Sequence, residues 1–173
     1  MNDLLLLATL LGGPQHGYAL KKQVGLITGQ GEMHNNLVYP LLRRFGQNGW
    51  ISKRTAAGQR GQTREVYTLT KKGKQELLRR LGDFTSKDAS SESAFRLRVG
   101  LFNVLDFDTQ KRVVTERDRW LIAREQNLGR LAAAVDLDTW SGEVVRYFRE
   151  ETRRERRWIA SLKRQIERQA SHK

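Results

Sequence analysis

The chain has 173 residues, no cysteine, 38% hydrophobic and 29% charged residues, and a net charge of +13. That composition excludes wholesale disorder, favours helices with one solvated face, and leaves no disulfide or thiolate chemistry, as in a reducing cytoplasm. Basic residues outnumber acidic ones 13 to 5 in residues 1–84 and 19 to 14 in residues 85–173, so a polyanion is the expected partner, nucleic acid before an anionic membrane.

The run LLLLATLL (residues 4–11) has no basic residue before it, carries Asp3, and stops at Gly12-Gly13-Pro14 without a small-x-small cleavage site. It therefore reads neither as a signal peptide nor, at about eight residues against the ~20 needed, as a membrane span. A buried or partner-facing helix over residues 2–11 is expected, with Leu4, Leu5 and Leu7 as candidate dimer contacts. A second helix opens near residues 15–17 as HGYALKKQVGLI, where Tyr18, Leu20, Val24 and Ile27 share a face and Lys21 and Lys22 point outward. After the break GQGE comes MHNNLVYPLLRRFGQNGW, a third helix with Asn35 or Asn36 as N-cap and Gly49 as its stop. Pro40 then falls in the first turn or just past it, where its missing N–H removes little. Leu41, Leu42 and Phe45 are left for the core.

The period then changes from helical to alternating. WISKRTAA and TREVYTLT are short, rich in β-branched and aromatic residues, and separated by GQRGQ, a β-hairpin with Tyr67 and Leu69 on one side and Arg64, Val66 and Thr68 on the other. Thr70 is the N-cap candidate for a helix starting near Lys71. The small, polar segment TSKDASSES (residues 85–93) reads as a domain boundary. Beyond it, a short helix is expected over residues 94–105 and two long ones over 109–135 and 139–168. Val114, Leu121, Leu128, Leu131 and Val135 mark a stripe on the first. Val145, Phe148, Ile159, Leu162 and Ile166 mark one on the second, interrupted by Thr152 and Glu155. Such stripes suit an antiparallel hairpin that packs on itself and on a second copy.

Chemistry concentrates in the third helix and the hairpin. A helix N-terminus offers free N–H groups and a positive dipole end to phosphate, and Tyr39 and Arg43 share a face four residues apart. The hairpin carries Lys53, Arg54, Arg60 and Arg64 with no acid until Glu65, and its glycines permit close approach to a sugar-phosphate backbone. His34, Asn35, Asn36, Tyr39, Arg43, Arg44, Lys53, Arg54, Arg60, Gln62 and Arg64 are the candidate DNA-contacting residues. The histidines His16, His34 and His172 are scattered, which leaves no metal-ligand spacing and no cofactor motif. The Asp pairs in DFDT and DLDT read as helix caps at Asp108 and Asp138. No catalytic motif is present, so no enzyme activity is expected. Trp120, Trp140 and Trp158 read as core positions before they read as an effector pocket.

The motifs GPQHGY (residues 13–18), YPLLRRFGQNGWI (39–51) and REVYTLTKKG (64–73) resemble the PadR family of bacterial transcriptional regulators. Tyr39, Pro40, Leu42, Arg44, Gly49, Ile51, Tyr67, Leu69, Thr70 and Gly73 fall on the family pattern; the entrance His34-Asn35-Asn36-Leu37 replaces the family's Ser-Pro-Gly-Thr. The resemblance implies a mainly α protein. Residues 1–84 would form a winged helix-turn-helix of three helices, a hairpin wing and a linking helix. Residues 85–173 would form a C-terminal helical dimerisation region open to an effector. It further implies a homodimer on a pseudo-palindromic double-stranded DNA operator, a repressor in the first instance, with a small-molecule effector left open. The alternative is a non-specific nucleoid or RNA-binding module.

Overall fold

The computed structural model describes residues 2–28, 33–57 and 63–171, without the side chains of residues 26–28 and 57. Two compact units divide the chain between Asp83 and Phe84. The fold is mainly α, with a winged helix-turn-helix in the first unit and a helical second unit.

In the first unit, α1 (Asn2–Thr9) runs into a 3-10 turn at Leu10–Gly12. Leu5, Leu6, Leu7 and Leu10 are all buried, against α2 (Gly17–Thr28) and α4 (Lys71–Gly82), so the N-terminal leucines fill this unit's own core. Between α1 and α2 a two-residue strand, β1 (Gln15–His16), pairs antiparallel with β3, an element the sequence did not announce. The sheet order is β1-β3-β2, with β2 at Ile51–Ala57 and β3 at Thr63–Leu69. The hairpin register sets Lys53 opposite Tyr67, Arg54 opposite Val66 and Ala56 opposite Arg64. Near its base both faces of β3 are covered, since Val66 and Tyr67 are each buried.

The third helix, α3 (Asn35–Gln47), starts one residue earlier than its asparagines suggest. His34 is the N-cap in extended backbone and caps with its carbonyl alone, accepting from the N–H groups of Leu37 and Val38. Pro40 consequently stands in the second turn, where it withholds the bond that the Asn36 carbonyl would accept. Val38, Leu42 and Phe45 form the buried face, with Leu41 only half-buried. The helix ends in a Schellman turn. Gly49 takes φ +70°, its N–H bonds Gly46 O at 2.9 Å, and the Trp50 N–H bonds Phe45 O at 2.9 Å. The Phe45 and Trp50 rings meet at 5.6 Å across that turn. On α2 the buried face is Leu20 and Val24, and Tyr18 is 64% exposed; two residues before Leu20 along a helix, it points away from that face.

The polar segment at the expected domain boundary folds, just inside the second unit. Thr85 and Asp88 form a reciprocal capping box over α5 (Ser86–Ser90), and Ser91 caps α6 (Glu92–Val99). Thr85 and Ser91 each cap a helix, which is why a composition typical of linkers is helical here. A 3-10 turn at Phe102–Val104 occupies the end of the segment expected to continue α6. α7 (Phe107–Ala134) is capped by Asp106 rather than Asp108. At the start of α8 (Thr139–Ser171) the Asp138 carboxylate accepts from the N–H groups of Trp140 and Ser141.

α7 and α8 run antiparallel and are laced by ion pairs: Arg156 to Asp118 and Glu125, Arg153 to Glu125, and Lys163 to Asp118. Beneath them Phe84, Ala89, Phe95, Val113, Val114, Leu121, Ile159 and Ile166 form the core of the second unit. The two residues that interrupt the apolar stripe belong to it. Thr152 is buried with its hydroxyl on Phe148 O at 2.7 Å. Glu155 receives Nε and Nη2 of the buried Arg117 at 2.8 Å each, while Arg117 Nη1 donates to Ala89 O at 2.6 Å. Of the residues expected at a dimer contact, Leu5, Leu7, Val145, Ile159 and Ile166 are buried inside their own units, Leu4 and Leu162 are half-buried, and Phe148 is exposed. No described helix is long and apolar enough to cross a membrane.

Candidate nucleic-acid interface

Outside its buried face, α3 presents two rows of side chains. Asn35, Tyr39 and Arg43 are exposed and spaced four apart, so they line one row along the helix. Asn36, Pro40 and Arg44 line the next, and that row closes a shallow cleft of about 590 Å³ with Asn2 and Asp3 of α1. Arg44 lies 3.8 Å from the Asp3 carboxylate, which Arg80 of α4 also holds at 2.9 Å. Arg43 makes no ion pair with a described residue. The two adjacent arginines therefore have different surroundings: Arg44 is turned toward α1, and Arg43 is left to solvent beside Tyr39. His34 stands exposed at the same helix end.

Tyr39 leans toward the base of the wing. It lines a cleft of about 490 Å³ with His16, Gly17 and Tyr18 at the start of α2 and with Arg64, Glu65 and Tyr67 of β3. Gly17 lies close to both rings: a Cβ there would stand 3.3 Å from Tyr39 Cε1, tighter than ordinary contact, and 3.6 Å from Tyr67 Cε2. The Tyr67 hydroxyl donates to Glu65 Oε2 at 2.6 Å, and Lys53 Nζ donates to Glu65 Oε1 at 2.6 Å. The hydrogen bond from Lys53, then that from Tyr67, holds the Glu65 carboxyl below the usual carboxylate range. Burial, then the bond to Glu65, pushes the Tyr67 phenol well above its ordinary value.

Side chains alternate along the hairpin, so Lys53, Glu65 and Tyr67 share one face of the sheet while Arg54 and Arg64 share the other. Arg54 and Arg64 are exposed and have no ion-pair partner among the described residues. The sequence ranked Lys53, Arg54 and Arg64 alike as wing cations; the structure leaves two of them uncompensated and pairs the third with an acid. Arg60 and Gln62 lie outside the described residues.

His16 and Tyr18 join this surface, although Tyr18 was expected on the helix face it shares with Leu20 and Val24 and His16 was expected at no binding site. β1 explains both. Pairing of Gln15 and His16 with β3 fixes the entry of α2 beside the wing, so that Tyr18 projects into the cleft beside Tyr39. A two-residue strand leaves no periodicity to detect, and the HGY motif was the only trace of it.

No group of three or more His, Asp or Glu residues able to hold a metal occurs among the described residues. The three tryptophans do not converge. Trp120 lies under Arg117 and Arg124 at 4.7 and 5.4 Å, Trp158 meets Phe95 edge-on at 5.6 Å, and Trp140 is 80% exposed. One cleft of about 410 Å³ in the second unit includes Trp158, with Tyr147, Glu92, Arg96, Glu150 and Arg154 around it.

The family model described as Transcriptional regulator PadR-like family matches residues 6–79. Among solved structures, the chain is 32% identical to the Thermoplasma acidophilum protein TA0346, over 44% of this chain and 72% of that one, with a TM-score of 0.41. It is 31% identical to a PadR family transcriptional regulator of Eggerthella lenta, over 43% of this chain and 63% of that one, with a TM-score of 0.38. Bacillus subtilis PadR, solved in complex with operator DNA, is 22% identical over 95% of this chain and 98% of that one, with a TM-score of 0.47. No curated protein matches the sequence.

Proposed function

This chain belongs, through residues 6–79, to the Transcriptional regulator PadR-like family, and on that premise we propose that it is a sequence-specific, double-stranded-DNA-binding repressor that acts as a homodimer. Residues 1–84 carry the DNA contacts and residues 85–173 the dimer contact. The observation that carries the reading is the exposed row Asn35–Tyr39–Arg43 on α3, in the same unit as a wing whose Arg54 and Arg64 pair with no acid among the described residues.

In this reading α3 enters the major groove by its N-terminal end, where His34, Asn35, Asn36 and Tyr39 meet base edges and nearby phosphates. Arg43, Arg54 and Arg64 supply phosphate and minor-groove contacts, with Arg60 and Gln62 at the wing tip. Arg44, turned toward Asp3, contributes charge at longer range. Two copies place their α3 helices about one helical turn of DNA apart, roughly 34–36 Å, on a pseudo-palindromic operator. A small-molecule effector that repacks the C-terminal helices would change DNA affinity by population shift.

Selection of bound fragments from genomic DNA, with competitor duplex at two salt concentrations, tests the proposal. A regulator yields a discrete set of fragments that outcompete bulk DNA near physiological salt. Binding that no fragment wins, and that vanishes with salt for all alike, would mark a non-specific nucleoid or RNA-binding module instead, because phosphate contacts carry no sequence information.

A further inference from the structure

We infer that Glu65 is a charge latch on the wing: it keeps Lys53 out of the set of phosphate-contacting cations and fixes the Tyr67 hydroxyl, so that DNA is met by Arg54 and Arg64 on the other face of the hairpin. The inference rests on the DNA-binding reading and assigns an electrostatic role to a residue that reading does not use.

Glu65 is the only acid between Glu32 and Glu76, a stretch that holds nine Lys and Arg residues. An acid at the centre of such a surface works against phosphate binding, so its presence needs a cause other than solvation. Its geometry supplies one. Both carboxylate oxygens are engaged, Oε1 by Lys53 Nζ and Oε2 by the Tyr67 hydroxyl, each at 2.6 Å. Stability is a poor explanation, because the side chains of Lys53 and Glu65 are 56% and 48% exposed and such surface pairs contribute little to folding. What the pair changes is the charge that the face presents. Lys53 is neutralised, and Tyr67, whose ring lies beside Gly17 and Tyr39, has its hydroxyl fixed toward the carboxylate. A phosphate approaching Lys53 would meet the Glu65 carboxylate bonded to it, whereas Arg54 and Arg64 have no ion-pair partner among the described residues.

Phosphate contacts raise affinity for all sequences alike. A latch that holds one cation back therefore lowers binding to bulk DNA and operator together, and makes both less sensitive to salt.

The test is the slope of log K against log salt for any duplex the full-length protein binds, measured for wild type, Glu65→Gln, the double variant Glu65→Gln/Lys53→Met, and the exchange Lys53→Glu/Glu65→Lys. Glu65→Gln keeps an acceptor for Tyr67 but frees Lys53. It is expected to steepen the slope by about 0.9, an additional loss of about 3.5-fold in affinity over a fourfold rise in salt, with operator and competitor affected equally. The double variant and the exchange, each with a net neutral pair, are expected to return the wild-type slope. An unchanged slope in Glu65→Gln overturns the latch, because Lys53 would then be out of reach of DNA. A double variant shallower than wild type by one contact also overturns it, because Lys53 would already be touching phosphate. If Glu65→Gln does not fold, the double variant and the exchange decide by the same criterion. Because slopes are read on any duplex, failure of the latch is distinct from failure of the regulator reading, which would show as the absence of a preferred fragment.

Discussion

Gly73, in the first turn of α4, has no space for a side chain. A Cβ there would stand 2.0 Å from the Trp50 carbonyl oxygen and 2.8 Å from its carbon, both backbone atoms that no rotamer can move aside. The neighbouring contacts explain the closeness: Thr70 accepts the Gly73 N–H at 3.0 Å while its own hydroxyl donates to the carbonyls of Gly49 and Trp50, drawing the start of α4 onto the end of α3. Gly73→Ala is therefore expected to destabilise the protein by on the order of 2–3 kcal/mol, read as a lower urea midpoint followed by circular dichroism; an unchanged midpoint would mean that this junction is looser than its geometry indicates. The TKKG motif made Gly73 legible as a family position and Thr70 as a cap. The reason for the glycine was not legible, because it lies in the carbonyl of a residue 23 positions earlier in the chain. Lys53 shows the same limit. Its charge could be read from sequence, but its neutralisation depends on a cross-strand register that the sequence does not state.

Among the elements, α3 joins local sequence most directly to proposed function. Its end was readable, since Gly49 followed by an apolar residue is a Schellman signature and the Phe45–Trp50 contact completes it. Its start was not, because His34 caps through its backbone and leaves no side-chain signal. One residue of difference moves Pro40 into the helix interior, where it removes a ladder bond and constrains the backbone of Tyr39 before it. Pro40→Ala restores the bond to the Asn36 carbonyl and is expected to stabilise the protein by about 1–3 kcal/mol, while weakening binding to a selected operator fragment by relaxing Tyr39. Paired urea titrations and fluorescence-anisotropy binding curves check this. A less stable Pro40→Ala protein would show that the proline ring packs in a way that offsets the lost bond. α5 was missed for a different reason: a five-residue helix made of cap-forming residues has the composition of a linker.

At the scale of the whole molecule, the question is which apolar surface remains for a second copy once each unit has filled its own core. Ile159, the centre of the stripe read from sequence, is 0% exposed among the core residues of the second unit, so Ile159→Asp would unfold that unit rather than separate two folded copies. Periodicity identified the stripe correctly and could not say whether α7 or a second chain covers it. The surface left over lies nearer the start of α8, where Trp140, Val144, Tyr147 and Phe148 recur at intervals of three and four and Val144 is 51% exposed. Leu131 and Val135, at the end of α7, are exposed as well. A row of large exposed apolar residues suits an interaction surface, and the homodimer proposed above would use this part of α8 to meet the partner. Val144→Asp, at a half-exposed position, is accordingly expected to leave the circular dichroism spectrum unchanged and to convert a dimer to a monomer in sedimentation velocity. Operator affinity should fall with it, because a monomer engages only one half-site. A Val144→Asp protein that still sediments as the wild-type dimer would exclude this surface, and the interface would then have to be sought at Leu4 and the exposed edge of α1.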